Sequence, residues 1–304
     1  MAYQSGDIIL DDHYNGFRNT VNNVWGTGSG DRGYGQTSVV AAVAAGATIT
    51  ATQWSTLLSR ISSAASHQGT ALTAITAPTA GSTISAFTAL SNNVSAINNN
   101  RLNRAAVGAD IASTVSGTAS WTVQTTHTCT FTFAGGNAAR HFFNAGGEIR
   151  LNFARSGGTS HTKNSEWTDL LNKAGTIVLR AHGTLKEGGS GTVSTLASST
   201  GYYELTTTNT VLFKQFADSS PYTTNYVQVS ARVNAAHADG LGNNGNQIIF
   251  TVVFRDDAAD NSIPSSVDVV NGTISTTARG RQPSTTVLSN SWGTPAWTTA
   301  NSQS

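Results

Sequence analysis

The stretch Gly28-Ser29-Gly30-Asp31-Arg32-Gly33 carries the spacing G-x-G-x-x-G. In a dinucleotide-binding loop that spacing lets the backbone approach a pyrophosphate at the N-terminus of a helix. The chemistry needs a strand before the glycines, a helix after them and an acidic residue about twenty positions on for the ribose. Here the order is reversed. Upstream, Tyr14, Phe17, Val21 and Val24 recur at helical spacing behind Asp11 or Asp12 as N-cap. Downstream, no helical stripe appears before Thr50 and no acidic residue stands at the ribose position. Gly26, Gly28, Gly30, Gly33 and Gly35 therefore read as a helix stop and a turn.

The other reactive side chains are scattered. "RDDAADN" (255–261) sets Asp256, Asp257 and Asp260 in a loop after a strand. The spacing misses the calcium-loop pattern and predicts a solvated turn. Glu148, Glu166, Asp169, Glu187 and Glu204 are of the type that cleaves glycosidic bonds, but nothing in their spacing pairs them. Neither H-E-x-x-H nor G-x-S-x-G occurs. His127 falls on the apolar face of a strand and reads as an interior imidazole rather than a zinc ligand. Cys129, the only cysteine, shares that face and reads as a small core residue, with no disulfide within the chain. The expectation is a non-enzymatic protein with no catalytic, cofactor or metal site.

The elements around these residues fall into two kinds. A first helix runs over 11–25. A second opens with capping-box spacing at Thr50 and Gln53, carries Trp54, Leu57, Leu58, Ile61 and Ala65 on one stripe, and stops at Gly69. A third, over 82–102, carries Ile84, Phe87, Leu90, Val94, Ile97 and Leu102. Their outer faces bear Ser, Thr and Asn, without the ion pairs that support isolated helices, so they need partners: one another or neighbouring subunits. Residues 105–119 read as a hinge.

Beyond the hinge the apolar period becomes 2. Trp121, Val123, Cys129, Phe131 and Phe133 share one face. "RHFFNAGGEIRLNFARSGG" reads as a strand broken at Gly146-Gly147, continuing through Ile149, Leu151 and Phe153. Further strands are read at 177–181, at "YYEL", at "TVLFKQF", through Val227–Val233 and Ile248–Phe254, and around the Asn271-Gly272 turn. One helix, "NSEWTDLLNKAG", is capped by Asn164 or Ser165 and ended by Gly175. The predicted fold is α+β: an N-terminal helical region (1–104), a linker (105–119), an antiparallel β-sandwich with one short helix (120–279) and a polar tail (280–304). Trp292 and Trp297 in that tail read as docking on a neighbouring chain.

Only 11% of the 304 residues are charged, and the net charge is +1. Nucleic-acid or acidic-membrane binding needs clustered Lys and Arg, which are missing. No apolar run is long enough to span a bilayer. "MAYQSGDIIL" lacks the basic and apolar segments of a signal peptide.

"RHFFNAGGEIRLNFARSGG" with "EWTDLLNKAGTI" after it, and "GDIILDDHYNGFRNTVNNVWGTGSGDRGYGQ" with "ITATQWSTLLSRISSAASHQGT" after it, resemble virion structural, tail-fibre-like proteins of tailed bacteriophages, especially contractile-tailed marine phages. The resemblance covers most of the chain, including the "FRDD" strand end, and is weakest near 105 and after 280. It implies a virion component without cofactor: a fibre-like appendage or a collar, neck or tail part, assembled as a homotrimer with other virion proteins. The expected assembly contacts are Tyr14, Phe17, Val21, Val24, Trp54, Leu57, Ile61, Ile84, Phe87, Val94, Trp292 and Trp297. The alternatives are a capsid decoration or tail-tube component, or a host-glycan-binding module using Tyr202, Tyr203, Tyr222 and Tyr226. A glycan-cleaving spike of the β-helix type would need long repeats, which the sequence lacks.

Overall fold

The stripe that begins at Asp11 forms α1 (Asp11–Trp25), burying Tyr14, Val21 and Val24. A computed structural model of the chain describes residues 11–79, 86–117, 120–236, 245–258 and 269–303. Helix α2 (Ala51–Gln68) starts at the expected capping box, where Thr50 and Gln53 satisfy each other's backbone N–H, and stops at Gly69 in the left-handed region. Helix α3 (Phe87–Asn99) buries Leu90, Val94 and Ile97. Each of the three helices packs on the other two. Ile84 lies outside the described residues.

The uncharged outer faces find their partners in the chain itself. Asn15 on α1 accepts from Val43 N–H at 3.0 Å and donates to Val43 C=O at 2.9 Å. Asn22, two turns on, grips both backbone groups of Val40 at 2.9 Å. Asn93 on α3 grips Thr73 in the same way. A side-chain amide can donate and accept side by side, so it mimics a strand neighbour for an extended segment. Two later stretches complete this unit, which comprises the residues up to Ala109 with Arg140–Gly146 and Pro283–Trp292. Gln36 pairs with both backbone groups of Ser289, at 2.8 and 2.9 Å, and Leu288 and Trp292 are buried.

The second unit comprises Asp110–Ala139, Gly147–Gln282 and the residues from Gly293 onward. Its strands, in chain order, are β1 (Val107–Gly117), β2 (Gln124–Thr132), β3 (Glu148–Ser156), β4 (Thr176–Leu179), β5 (Thr184–Glu187), β6 (Val193–Leu196), β7 (Thr210–Phe216), β8 (Tyr226–Val233), β9 (Gln247–Arg255), β10 (Thr273–Pro283) and β11 (Ala296–Gln303). They form a five-stranded sheet, β1-β10-β3-β4-β5, and a six-stranded sheet, β11-β2-β9-β8-β7-β6. Alternation puts Cys129 and Phe131 of β2, Val227 to Val233 of β8 and Ile248 to Phe254 of β9 on one buried face. That face meets the other sheet: His127 bonds Thr276 at 2.9 Å, Phe153 stands edge-on to Phe254, and the Phe131 ring lies where a Cβ on Gly280 would be. The result is the expected antiparallel sandwich.

Several local expectations are corrected. Residues 107–117 are a strand, not a hinge, and residues 296–303 are a strand on β2, not a loose tail. "RHFFN" lies in a helix, α4 (Gly136–Asn144), rather than a strand. Every side chain from Ala139 to Ala145 is buried, so no period shows in the sequence. A second helix, α5 (Thr162–Ala174), starts two residues before the expected caps, behind His161, and ends at Gly175 as expected. "YYE" is a 3-10 turn held by the Glu204 carboxylate on Gly201 N–H. Val123 is exposed, off the Cys129 face.

The helical unit draws on 140–146 and 283–292, so a fragment ending at Ala109 lacks part of its own core. Such a fragment is expected to show no cooperative thermal transition by circular dichroism, whereas the full chain does. A sharp transition in the fragment would mean that the three helices suffice.

Candidate functional site

The glycine-rich loop answers its question through Arg140. Gly28, Gly30, Gly33 and Gly35 all adopt positive φ, which turns the loop's carbonyls inward. The Arg140 guanidinium, 3% exposed, donates to Arg32 C=O at 2.5 Å, Thr27 C=O at 2.6 Å and Gly30 C=O at 3.3 Å. Asn144, one turn later on α4, donates to the carbonyls of Gly30 and Gly33 at 3.2 Å. The loop follows the C-terminus of α1, where the helix dipole favours a cation. A phosphate cradle presents N–H groups at a helix N-terminus; this loop presents carbonyls at a C-terminus and holds a cation. Sequence reasoning missed Arg140, whose only signal was a lone charge inside an apolar run.

The carboxylates are brought together, but around arginines and lysines. Glu148 is 1% exposed and pairs with Arg150 at 2.7 Å, Arg180 at 3.2 Å and Arg281 at 3.7 Å. Glu187 shares Arg150 and Arg180. Asp256 of the acidic loop is buried rather than solvated and pairs with Lys163 of α5 at 2.7 Å. Burial pushes its carboxyl above the usual range, and the Lys163 ammonium pulls it part of the way back. Asp257 pairs with Arg255, and Asp260 lies outside the described residues. Glu166, Asp169 and Asp218 converge closely enough to hold a metal. The Lys173 ammonium already lies 2.6 Å from Asp169 and 2.8 Å from Asp218. These two carboxylates raise the Lys173 pKa, and Lys173 lowers that of Asp218. Glu204 holds His182 Nδ1 at 2.6 Å on the surface.

Among the neutral groups, Cys129 is fully buried and its thiol is pushed up to about 12. His127 and His67 are buried and pushed down to about 4 by desolvation. His67 Nε2 lies 3.1 Å from Ala145 C=O; a carbonyl only accepts, so this nitrogen carries the proton.

The expected assembly residues are corrected in part. Tyr14, Val21, Val24, Trp54, Leu57, Ile61, Val94 and Trp292 are buried within the chain. Trp297 stacks on Phe131 with centroids 4.4 Å apart and donates to Ile111 C=O at 2.9 Å, so it too docks within the chain. Phe17 and Phe87 remain half-exposed, 5.2 Å apart. They stand in a groove of about 510 Å³ between α1 and α3. The four tyrosines form no single platform. Tyr202 is buried, Tyr203 stacks under His182, Tyr226 lies 3.6 Å beneath Lys214 Nζ, and Tyr222 is half-buried.

Comparison with models of known protein families, with curated proteins and with solved structures yields no match to this chain.

Replacing Arg140 by Met leaves the loop carbonyls without their donor. The variant is expected to lose about 3 kcal/mol in urea unfolding; a loss under about 1 kcal/mol would mean the loop stands without the cation. The histidines set a pH dependence. Below about pH 6.5 the unfolded chain takes up protons that folded His67 and His127 refuse down to about pH 4. Their contribution is full above pH 6.5 and is lost as pH falls towards 4, by up to about 3 kcal/mol each. In urea titrations His127→Gln should show a shallower loss between about pH 6.5 and 5 than the parent. An identical slope would exclude His127 as a source.

Proposed function

We propose that this chain is a non-enzymatic structural component of a tailed-phage particle, a fibre-like appendage or a collar, neck or tail part, assembled as a homotrimer. The observation that carries the reading is where the phage-like strings fall. They supply Arg140 and Asn144, which seat the glycine loop, Glu148, which gathers three arginines, and Trp167, which packs on Trp121 and Phe254. These residues build a scaffold. The buried charges described above are engaged in ion pairs and hydrogen bonds that tie one element to another, as a load-carrying shell requires. With the helical stripes turned inward, subunit contacts in a trimer must use other surfaces, the half-exposed Phe17 and Phe87 among them.

The test has two readouts. Light scattering on the purified chain is expected to give three times the 31.5 kDa of one copy. Mass spectrometry of gradient-purified particles from the virus that encodes the chain is expected to recover its peptides, and antibody labelling to place it on the tail or neck. A chain made during infection but missing from purified particles would overturn the proposal. A monomer found in particles would remove the trimer and favour a decoration protein.

A further inference from the structure

We infer that Lys163 and Asn225 join in an isopeptide bond, which the chain forms on itself with loss of ammonia. The strands set up the site. Strands β8 and β9 pair with Tyr226 opposite Arg255, so Asn225 and Asp256 stand opposite each other one residue beyond. Alternation gives them the buried face of Val227 and Phe254. Side chains in such a pair start about 5 Å apart at Cβ. Helix α5 brings Lys163 to them, with Nζ 2.7 Å from Asp256 Oδ2. The lysine side chain is 8% exposed and the aspartate side chain 1%. Asn225 is buried as well. Trp167, one turn along α5 from Lys163, packs on Phe254.

Asn225 is held as an electrophile. Its Oδ1 accepts from Asp257 N–H at 2.9 Å and from Ala258 N–H at 2.8 Å. Two backbone donors on one carbonyl oxygen polarise Cγ, and they are already in place for the charge that a tetrahedral intermediate puts on that oxygen. The amide nitrogen is left over. The Asn225 amide is near enough to steady the Asp256 carboxylate. Even so, Asn225 Nδ2 and Asp256 Oδ1 are both buried without a hydrogen-bond partner. Native interiors leave few polar atoms in that state. Release of Nδ2 as ammonia removes the first orphan and leaves a new amide N–H beside the Asp256 carboxyl.

The step balances within these three side chains. Burial raises the Asp256 carboxyl, which favours moving one Lys163 proton onto it. The neutral amine attacks Asn225 Cγ and forms the Cγ–Nζ bond. Asp256 gives its proton to Nδ2 and takes one from Nζ as the Cγ–Nδ2 bond breaks. The products are a secondary amide, free ammonia and a neutral Asp256 carboxyl, and no oxidant or cofactor enters. Fixed neighbours in a buried site supply the proximity that such an exchange lacks in water. A buried ion pair, costly to desolvate, is exchanged for neutral groups. The bond ties α5 to the end of the β8–β9 ladder, whether or not the chain is built into a particle.

Intact-mass spectrometry of the full-length chain under denaturing conditions tests it. The chain is expected to be lighter than its sequence by the mass of ammonia, about 17 Da. After trypsin, peptide 156–173 should be recovered joined to peptide 215–232 through Lys163 and Asn225. Lys163→Arg keeps a cation for Asp256 without a nucleophilic amine, so it should show the full sequence mass. Asp256→Asn, which removes the proton shuttle, should do the same. The reading is of mass alone, so it holds for a variant that folds poorly. A parent chain at full sequence mass would overturn the inference. So would loss of ammonia that persists in Lys163→Arg, which is cyclisation of an asparagine on its own backbone. Loss of water, with Lys163 joined to Asp256, would overturn the choice of acceptor. Particle mass spectrometry reads the structural role separately, so either proposal fails without the other.

Discussion

The two sheets close on each other because Gly280 has no side chain. The Phe131 ring occupies the space a Cβ would take, and this contact fixes which residues of β2 and β10 face each other. Once Phe131 is seated, His127 reaches Thr276 four residues along each strand, and Phe153 meets Phe254 further down the same interior. Trp297 of β11 then stacks beside Phe131 and carries the apolar layer to the edge of the six-stranded sheet. Interiors are packed to crystal density, so a ring that displaces backbone-level space constrains its neighbours more than a flexible aliphatic chain would.

The helical unit is built with few charges along its helices. Asn15, Asn22 and Asn93 hold extended chain by pairing with its backbone. Tyr34, with its hydroxyl donating to Arg101 C=O and accepting from Gln68, does the same inside. The buried cation Arg140 is neutralised by carbonyl dipoles. Such contacts depend little on ionic strength, because amide and carbonyl dipoles are not screened as separated surface charges are. A low-charge sequence is thus a way of being stable through backbone recognition, and the Ser/Thr/Asn bias is its signature.

What was legible follows from burial geometry. Strands β2, β3, β4, β7, β8, β9 and β10 were all expected from alternation, and all lie inside a sheet. Strands β1, β5, β6 and β11 went unread, and these four are the sheet edges. Along β11 no residue is buried, and along β6 none is either. A strand open to water on both faces carries no period, whatever its hydrogen bonding. The same holds in reverse for α4, which is buried on all sides from Ala139 onward. The glycine loop was read correctly as a turn, because its wrong context was visible in sequence. Its partner Arg140 was not, because the two meet across 108 residues through unpatterned backbone carbonyls. The Phe17–Phe87 groove was hidden in the helical stripes, since a sequence marks an apolar position without saying how deeply it sinks.

The pairing of β11 with β2 has a consequence for synthesis. Thr125 and Asn301 meet across 176 residues, so the ribosome finishes β2 long before its outer neighbour exists. During that interval the β2 edge stands open and Phe131 lacks its stacking tryptophan. Non-local closures of this kind are slow and leave unpaired edges exposed to other chains. The threonines of β2, in place of further apolar residues, keep the waiting strand soluble. Ala296–Gln303 is the strand that covers this edge.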